Sequence, residues 1–256
     1  MEDLTHLTLI DYDGVEIPFN SNWNSIAVSS SGGADSTLLA QLLCSLITEY
    51  NVTIDVHFIS HIRMWKTRPW QVHNCENIYN LFNKKFPNIK FYRHVNFISP
   101  ALEWSNTGSI IKDEYGKITS GEIIELQSFA EYICFHHNID AHFNGVTMNP
   151  KNVDFKGHYK RDIESNENNQ FLKLKTHMGK IASHPFRFVD KSWVLKTYKK
   201  LNLMELFDQT KSCEGEFEGL DYRTYKNGDP VPECGTCFWC KEREWAIETT
   251  NNLLRS

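Results

Sequence analysis

The sequence predicts an α/β protein built on a doubly wound parallel sheet. Short β-prone apolar runs alternate with longer segments whose apolar residues recur at helical spacing, as expected of β-α-β units. A glycine-rich turn, SSSGGADS at 29–36, joins the first of these runs to a leucine-rich helix. Ligands of doubly wound sheets bind beyond the carboxyl ends of the strands. The turn lies at such an end and is therefore the first candidate site.

The N-terminal part predicts a hairpin followed by the first β-α-β unit. Residues 5–19 alternate loosely around Asp13-Gly14, a dipeptide typical of a hairpin turn. The run at 25–29 predicts a strand, and leucines at helical spacing predict a helix over about 37–50. A second strand is expected over about 52–59.

The middle of the chain continues the alternation. Pro69 is suited to an early helical position, and the helix that follows it is expected to end before Pro87. A third strand is expected at 89–95, a helix at 121–137 and a fourth strand at 141–146.

The composition changes after residue 149. The segment up to 185 is polar and predicts a mobile loop or lid, and a last major helix is expected over about 192–206 with Asp190 as its cap. We therefore expect a hairpin appendage at 1–22, a sheet domain at 23–190 with a mobile insertion near 150–185, and a C-terminal helix and cysteine subdomain at 191–256.

The composition is that of a soluble globular protein. The chain has 256 residues, of which 41% are hydrophobic and 23% charged. A net charge of −5 and a pI of about 6.1 give no basic field for nucleic acid, so that partner is not expected. The sequence lacks an apolar stretch of about 18 residues and a signal-like N-terminus, so we expect no membrane association and a cytoplasmic location.

The turn at 29–36 has the residues of an anion site. The first N–H groups of a helix lack intrahelical acceptors and lie at the positive end of its dipole, so a phosphate fits there. The alternative is a tight turn followed by a Ser or Asp N-cap, which needs no ligand. Capping alone does not account for Ser31, Gly32, Gly33, Asp35 and Ser36 together. Asp35 accepts but does not donate, so beside phosphates it suits Mg²⁺ or a water bound to it.

A second motif lies near the C-terminus. Its four thiols are the number that a closed tetrahedral zinc site needs, and an iron–sulfur cluster is the alternative. The cysteines of this motif are Cys213, Cys234, Cys237 and Cys240. The remaining cysteines lie on apolar helix faces and are expected to be core thiols: Cys44, Cys75 and Cys134. An odd total of seven argues against a disulfide framework.

Residues 31–36 resemble the Ser-Gly-Gly-x-Asp-Ser loop of the PP-loop (N-type) ATP pyrophosphatases, whose fold is adenine nucleotide α-hydrolase-like. That resemblance implies that the chain binds ATP and Mg²⁺, transfers AMP to an oxygen of a substrate and releases pyrophosphate. The residues that it assigns to ATP are Ser29, Ser31, Gly32, Gly33, Ala34, Asp35 and Ser36.

With the cysteine tail added, the chain resembles the 7-cyano-7-deazaguanine synthases of the queuosine-precursor pathway. The tail carries Thr210-Lys-Ser-Cys213 and Cys-Gly-x-Cys-x-x-Cys-x-x-Arg-x-x-Ala over 234–246. The resemblance implies an ATP-dependent ligase that aminates 7-carboxy-7-deazaguanine with ammonia, to an amide or a nitrile. It assigns catalysis to Asp35, Ser36 and Lys191, and substrate binding to Asp154, Lys156, His158 and Arg161. The alternative for Lys191 is a solvated lysine. The alternative for Lys156, His158 and Arg161 is a solvated basic loop.

Two segments depart from that family. Its members carry Tyr-Gly-Gln-Arg-His after the second strand and Pro-Ala-Arg-Asn before the long helix, where this chain reads HIRMWKTRPWQVH and ITSGEIIELQS. A PP-loop enzyme with another acceptor (a nucleotide, a tRNA base or a protein carboxylate) therefore stays open, as does a non-catalytic zinc-stabilised nucleotide-binding module. The expected partners are a small-molecule substrate and ammonia, and a homodimer is one option for the oligomeric state.

Overall fold

The main sheet and the candidate site lie in the part of the chain that the computed structural model describes. That part comprises residues 7–63, 70–98, 111–112, 118–119, 121–150, 153, 171–173, 181–213 and 233–253. Each helix within these ranges is too short or too polar to cross a membrane.

Strands and helices alternate along most of these residues. The strands are β1 (Thr8–Tyr12), β2 (Val15–Phe19), β3 (Ser25–Ser29), β4 (Asp55–Arg63), β5 (Phe91–Ile98), β6 (Ile111–Lys112), β7 (Ile118–Thr119), β8 (Ala141–Phe143), β9 (Phe171–Lys173) and β10 (Ile181–Ser183). The helices are α1 (Ala34–Glu49), α2 (Gln71–Lys85), α3 (Gly121–His136), α4 (Lys191–Lys200), α5 (Met204–Asp208) and α6 (Phe238–Leu253).

The main sheet has the order β5-β4-β3-β8-β10-β9. Its first five strands pair in parallel, and β9 adds antiparallel to β10 at the edge. From β3 the chain moves one way to β4 and β5, and then returns to β8 on the other side of β3. The predicted doubly wound fold is thus confirmed, with its switch point between β3 and β8, where such sheets bind ligands. The predicted N-terminal hairpin is also confirmed, since β1 pairs antiparallel with β2.

Both faces of the sheet are buried. On one face, Val28 of β3 and Phe58 of β4 belong to a core cluster that also contains residues of α1, α2 and α4. On the other face, Ala27 and Ile59 pack with Ile133 of α3. Because successive residues of a strand point to opposite faces, this division requires the near-continuous apolar strands that the sequence shows.

Some element bounds differ from the predictions. Helix α1 begins at Ala34 rather than near residue 37, so Asp35 and Ser36 belong to its first turn. The predicted helix over 192–206 is two helices, α4 and α5, because the chain turns at Asn202, whose φ is 55°. That left-handed conformation ends a helix and is more accessible to asparagine than to most residues.

The segment near 150–185 was predicted to be a loop or lid, but it contributes two strands of the main sheet. Strand β10 pairs with β8 in parallel, and β9 pairs with β10. Each has three residues, which is too short to show an alternation in the sequence. The division of the chain into three units stays a prediction.

Candidate nucleotide site and metal-binding cysteine cluster

The turn between β3 and α1 is held in shape from two sides. Gly32 has a φ of 75°, in the left-handed region that favours glycine. Its carbonyl accepts hydrogen bonds from the side-chain amide of Asn74 at 2.7 Å and from the backbone N–H of Lys211 at 3.0 Å. A Cβ atom at Gly32 would overlap the Asn74 side chain. The fold itself therefore fixes the loop.

The N-terminus of α1 is not capped by any side chain of the described residues. Its N-cap residue is Gly33, whose carbonyl accepts the first intrahelical bond, from the N–H of Thr37 at 3.2 Å. The earlier N–H groups of this turn have no intrahelical acceptor. The hydroxyls of Ser31 and Ser36 lie 3.3 Å apart beside them. The capping alternative for this motif is therefore wrong, and the helix end can receive an anion.

Asp35 and Lys191 form a buried ion pair at this helix end. The Asp35 Oδ2 atom lies 2.5 Å from the Lys191 Nζ atom, and Lys191 is 4% exposed. The solvated-lysine alternative is therefore wrong. The Thr147 hydroxyl donates to the same carboxylate oxygen at 3.5 Å. The other oxygen, Oδ1, is buried and has no hydrogen-bond partner among the described residues. An unpartnered carboxylate oxygen beside an anion site suits a divalent cation or a water bound to one.

The start of α4 positions Lys191. The Asp190 carboxylate accepts hydrogen bonds from the backbone N–H groups of Ser192 at 2.9 Å and Trp193 at 3.4 Å, which confirms the predicted cap. Lys191 is therefore fixed as the first residue of the helix. A second carboxylate, that of Glu242 in α6, lies 3.9 Å from its ammonium group.

Gly145 lets a second strand end approach the loop. A Cβ atom there would lie 2.9 Å from the Asp35 carbonyl carbon and 2.9 Å from the Ser36 nitrogen. Real side chains do not tolerate such distances from backbone atoms. The chain that leaves β8 therefore passes directly over the first turn of α1.

A cavity of about 430 Å³ lies at the switch point and is lined by two groups of residues. The first group comes from the loop and the start of α1 and is small or polar: Ser29, Ser30, Ser31, Gly33, Asp35 and Ser36. Gly32 and Ala34, which the sequence also assigned to ATP, are not in the lining. Gly32 shapes the turn, and Ala34 is 1% exposed. The second group consists of ring, amide and carboxylate side chains from other elements, including His61, Trp70, Gln127, Glu131, His142 and His184.

Two histidines of the second group, His142 and His184, favour the neutral form. Burial lowers the pKa of His142 to about 4, helped by the nearby His184 and His61. Burial also lowers the pKa of His184. The His142 Nε2 atom and the Ser29 hydroxyl are hydrogen-bonded at 2.8 Å. Neutral imidazoles both donate and accept, so this wall suits an uncharged polar ring. The sequence did not identify these histidines as site residues. The one feature that could have indicated them is their position at or near strand ends.

The four cysteines of the tail converge, as predicted. Their Sγ atoms all lie within 4.8 Å of one another, with Cys213 and Cys237 at 3.9 Å and Cys234 and Cys240 at 4.0 Å. A tetrahedral ion with metal–sulfur bonds of about 2.3 Å places its sulfurs about 3.8 Å apart. The residues present therefore fit a single bound metal ion.

Backbone groups support the cluster. The N–H of Cys237 donates to Cys234 Sγ at 3.2 Å, and the N–H of Cys234 donates to Cys213 Sγ at 3.3 Å. Gly235 has a φ of 68°, which lets the chain turn between the thiols. The other three cysteines, in α1, α2 and α3, are buried as expected.

The segments that carry the cysteines contact the loop and the cavity, which the sequence did not predict. Lys211, whose N–H binds the Gly32 carbonyl, lies two positions before Cys213. Trp239, beside Cys240, lines the cavity. Arg243 of α6 donates to the Thr210 hydroxyl at 3.1 Å and so ties the helix to the same segment. The cysteine tail is therefore part of the wall of the site.

The residues assigned to substrate binding by resemblance are not among those described. They are Asp154, Lys156, His158 and Arg161, which lie outside the described ranges. Their roles stay predictions.

Comparisons with known proteins give weak likenesses. No family model matches the chain, and no curated protein matches it. Among solved structures it is similar to the U34-tRNA thiolase NcsA from Methanococcus maripaludis with its 4Fe–4S cluster (TM-score 0.42, 14% identity, 91% of this chain and 67% of the other). It is also similar to phosphoadenylyl-sulfate reductase from Candida auris in a phosphate complex (TM-score 0.36, 11% identity, 76% and 82%). NAD+ synthetase from Burkholderia pseudomallei is a third (TM-score 0.38, 12% identity, 92% and 82%). The function proposed below is drawn from the site and not from these likenesses.

Proposed function

We propose that this protein is an ATP-dependent ligase of the PP-loop kind, which adenylates a substrate carboxylate and releases pyrophosphate. The observation that supports this function best is the uncapped N-terminus of α1, with the buried Asp35–Lys191 pair at the same end of the cavity. A helix N-terminus and an ammonium group together attract a chain of phosphates. The phosphates would repel the carboxylate of Asp35 unless a cation accompanies them.

Each residue of this end has a role in that reaction. The N–H groups of the first turn of α1 and the hydroxyls of Ser31 and Ser36 bind the pyrophosphate that leaves. Lys191 neutralises the charge that develops on it. Asp35, whose Oδ1 atom has no hydrogen-bond partner among the described residues, would hold Mg²⁺, which would supply further charge neutralisation when bound. The chain contributes position and charge, and the reaction needs no protein nucleophile.

We propose 7-carboxy-7-deazaguanine as the acceptor and ammonia as the nitrogen source. An oxygen of its carboxylate attacks the α-phosphorus of ATP, and the bond from that phosphorus to pyrophosphate breaks. Ammonia then displaces AMP to form the amide. A second adenylation, on the amide oxygen, would give the nitrile when AMP leaves. The neutral His142 and the amide of Gln127 line the cavity and suit a planar polar ring.

The rival proposals differ in the acceptor or in turnover. The two segments that depart from the family, at 61–73 and 118–128, favour another acceptor of the same chemistry, because His61, Trp70 and Gln127 from these segments line the cavity. A pure binding module is disfavoured by Asp35, since a negative charge beside phosphates weakens binding unless a cation is used.

We propose that the cysteine cluster binds one zinc ion in a structural role. Its four thiolates leave no coordination position for a substrate. In an iron–sulfur cluster the thiolates bind different irons, which spaces the sulfurs further apart than a single ion does. The Sγ separations of 3.9 and 4.0 Å support the single ion.

The test is a product analysis with Mg²⁺, ATP, ammonium and the carboxylic acid. We expect AMP and pyrophosphate, with conversion of the acid to the amide or nitrile by mass. ADP and phosphate as products would overturn the PP-loop assignment. AMP formation that requires a different acceptor would move the protein to a sister activity. Elemental analysis that finds iron in place of zinc would overturn the metal assignment.

A further inference from the structure

Glu242 is a fully buried carboxylate that the function proposed above does not use. It is 0% exposed and lies on α6, two residues after Cys240. Its Oε2 atom is 3.9 Å from the Lys191 ammonium, which Asp35 binds at 2.5 Å. The buried ammonium of the site is therefore flanked by two carboxylates, one from the loop helix and one from the cysteine helix.

Packing does not explain why a glutamate occupies this position. Burying a charged group is costly unless it is paired, and an apolar residue of similar size often stabilises such a position at least as well. Helix α6 already has other anchors against its neighbours. Ala246 is buried, the Arg243 guanidinium donates to the Phe207 carbonyl at 3.3 Å, and the Thr250 hydroxyl donates to the Ser192 carbonyl at 3.5 Å.

The second carboxylate beside Lys191 becomes important when Asp35 binds another cation. If Asp35 turns to a cation that accompanies the nucleotide, Lys191 loses its nearest counter-charge. A buried ammonium without a partner is strongly disfavoured. Glu242 remains beside it and keeps the ammonium in place at the cavity.

We infer that Glu242 is a positioning residue for the proposed reaction: it holds the Lys191 ammonium at the phosphate end of the cavity when Asp35 engages the nucleotide's cation. This inference rests on the proposed function. It also links the cysteine cluster to the loop, because α6, which begins directly after Cys237 and holds Cys240 in its first turn, also carries Glu242.

The test compares Glu242→Gln with Glu244→Gln. Glu244 is exposed on the same helix and pairs only with Lys241 among the contacts described for it, at 2.9 Å, so its variant is the matched control. For Glu242→Gln we expect kcat for AMP release to fall roughly 10- to 100-fold, the size of a small misplacement of a catalytic group. KM for ATP and the zinc content should stay close to those of the control.

The double variant tests whether Glu242 acts through Lys191 or independently of it. Lys191→Met lowers kcat, and adding Glu242→Gln to it should lower kcat no further, because Glu242 acts through Lys191. The melting temperature, measured without nucleotide, should show the same coupling between the two positions. Additive losses in kcat and in melting temperature would mean that Glu242 acts independently of Lys191, which overturns the inference.

The remaining outcomes are also decisive. Wild-type turnover in Glu242→Gln overturns the inference and leaves the proposed function standing. A wild-type protein that forms no AMP and pyrophosphate overturns the proposed function, and the inference falls with it. If Glu242→Gln loses its zinc or does not fold, Glu242→Asp decides: lower kcat at full zinc content supports the inference, and kcat equal to that of Glu244→Gln overturns it.

Discussion

The glycine-rich loop at 29–36 and the cysteine cluster hold their shapes by different means. The loop is fixed by hydrogen bonds that the fold supplies, such as those to the Gly32 carbonyl and the one from the Tyr198 hydroxyl to the Ala34 carbonyl at 2.8 Å. The cluster brings four thiol groups together, and thiolates at such distances need an ion to balance their charge. The polypeptide preorganises the first region, whereas the second depends on the metal proposed for it.

The two regions nevertheless support one another. Lys211 donates to Gly32 from the segment that leads to Cys213, and Glu242 reaches Lys191 from the helix of Cys240. Loss of the proposed metal should therefore disturb the loop. A substitution in the preorganised loop should leave the metal bound. Each prediction below perturbs one part of the molecule: the cluster, the loop or the cavity wall beside the loop.

The largest effect is expected from a metal ligand. Cys237→Ser removes one thiolate, and because metal binding adds to folding free energy, the free energy of unfolding should fall by several kcal/mol, on the scale known for structural zinc sites. Thermal melts and zinc analysis measure this. Cys44→Ser is the control, since Cys44 lies in α1 and its variant should keep its zinc. Full zinc content in Cys237→Ser would contradict the assigned ligand set.

The next effect concerns chemistry rather than stability. Asp35→Asn should reduce AMP release by about 10²- to 10³-fold, the usual loss when a preorganised charge at a reaction centre is removed. Its zinc content should equal that of wild type. Asp55→Asn is the control, because Asp55 lies at the start of β4 and pairs only loosely with Lys90, at 4.0 Å. Undiminished turnover in Asp35→Asn would show that Asp35 has no catalytic role.

The local motifs of both regions could be predicted from the sequence, because their residues are neighbours in the chain. The loop residues and the four cysteines are of this kind. The start of α1 was misplaced, since Ala34, Asp35 and Ser36 read as turn residues while the N-cap is Gly33. The partners of these motifs could not be predicted. Asp35 and Lys191 are 156 positions apart, and local periodicity carries no information on which distant side chains meet.

A smaller effect is expected from a methyl group at the strand end over the loop. Gly145→Ala places a Cβ 2.9 Å from two backbone atoms of α1, so the free energy of unfolding should fall by about 1–3 kcal/mol, as overpacking does. Denaturant titration measures it. Gly33→Ala is the matched control, because its Cβ would meet the Ser31 hydroxyl at 3.3 Å and other atoms only at the ordinary contact distances of 3.7 and 3.8 Å, and Gly33 has an ordinary φ of −83°. Equal losses in the two variants would show that the close approach at Gly145 is not constraining.

The last effect is confined to acidic pH and concerns His142, which lines the cavity and is hydrogen-bonded to Ser29 of the loop. Burial lowers the pKa of His142 to about 4, from an ordinary value of 6.5. The unfolded state therefore binds a proton at this histidine more readily than the folded state does. Above pH 6.5 both states are neutral and His142 gives no pH dependence. As the pH falls from 6.5 toward 4, the unfolded state binds the extra proton and the free energy of unfolding declines.

His142→Gln should remove that contribution. The slope of unfolding free energy against pH in this window should become shallower by up to about 1.4 kcal/mol per pH unit, the value of one proton. Acid also weakens binding of the metal proposed for the cysteine cluster, but wild type and variant carry the same cluster, so this contribution cancels in the difference between them. The control is His136→Asn, at an exposed position on α3. If His142→Gln and His136→Asn give the same slope, the buried imidazole at the cavity does not contribute, and the acid sensitivity of the protein belongs to the cysteine cluster and the other histidines.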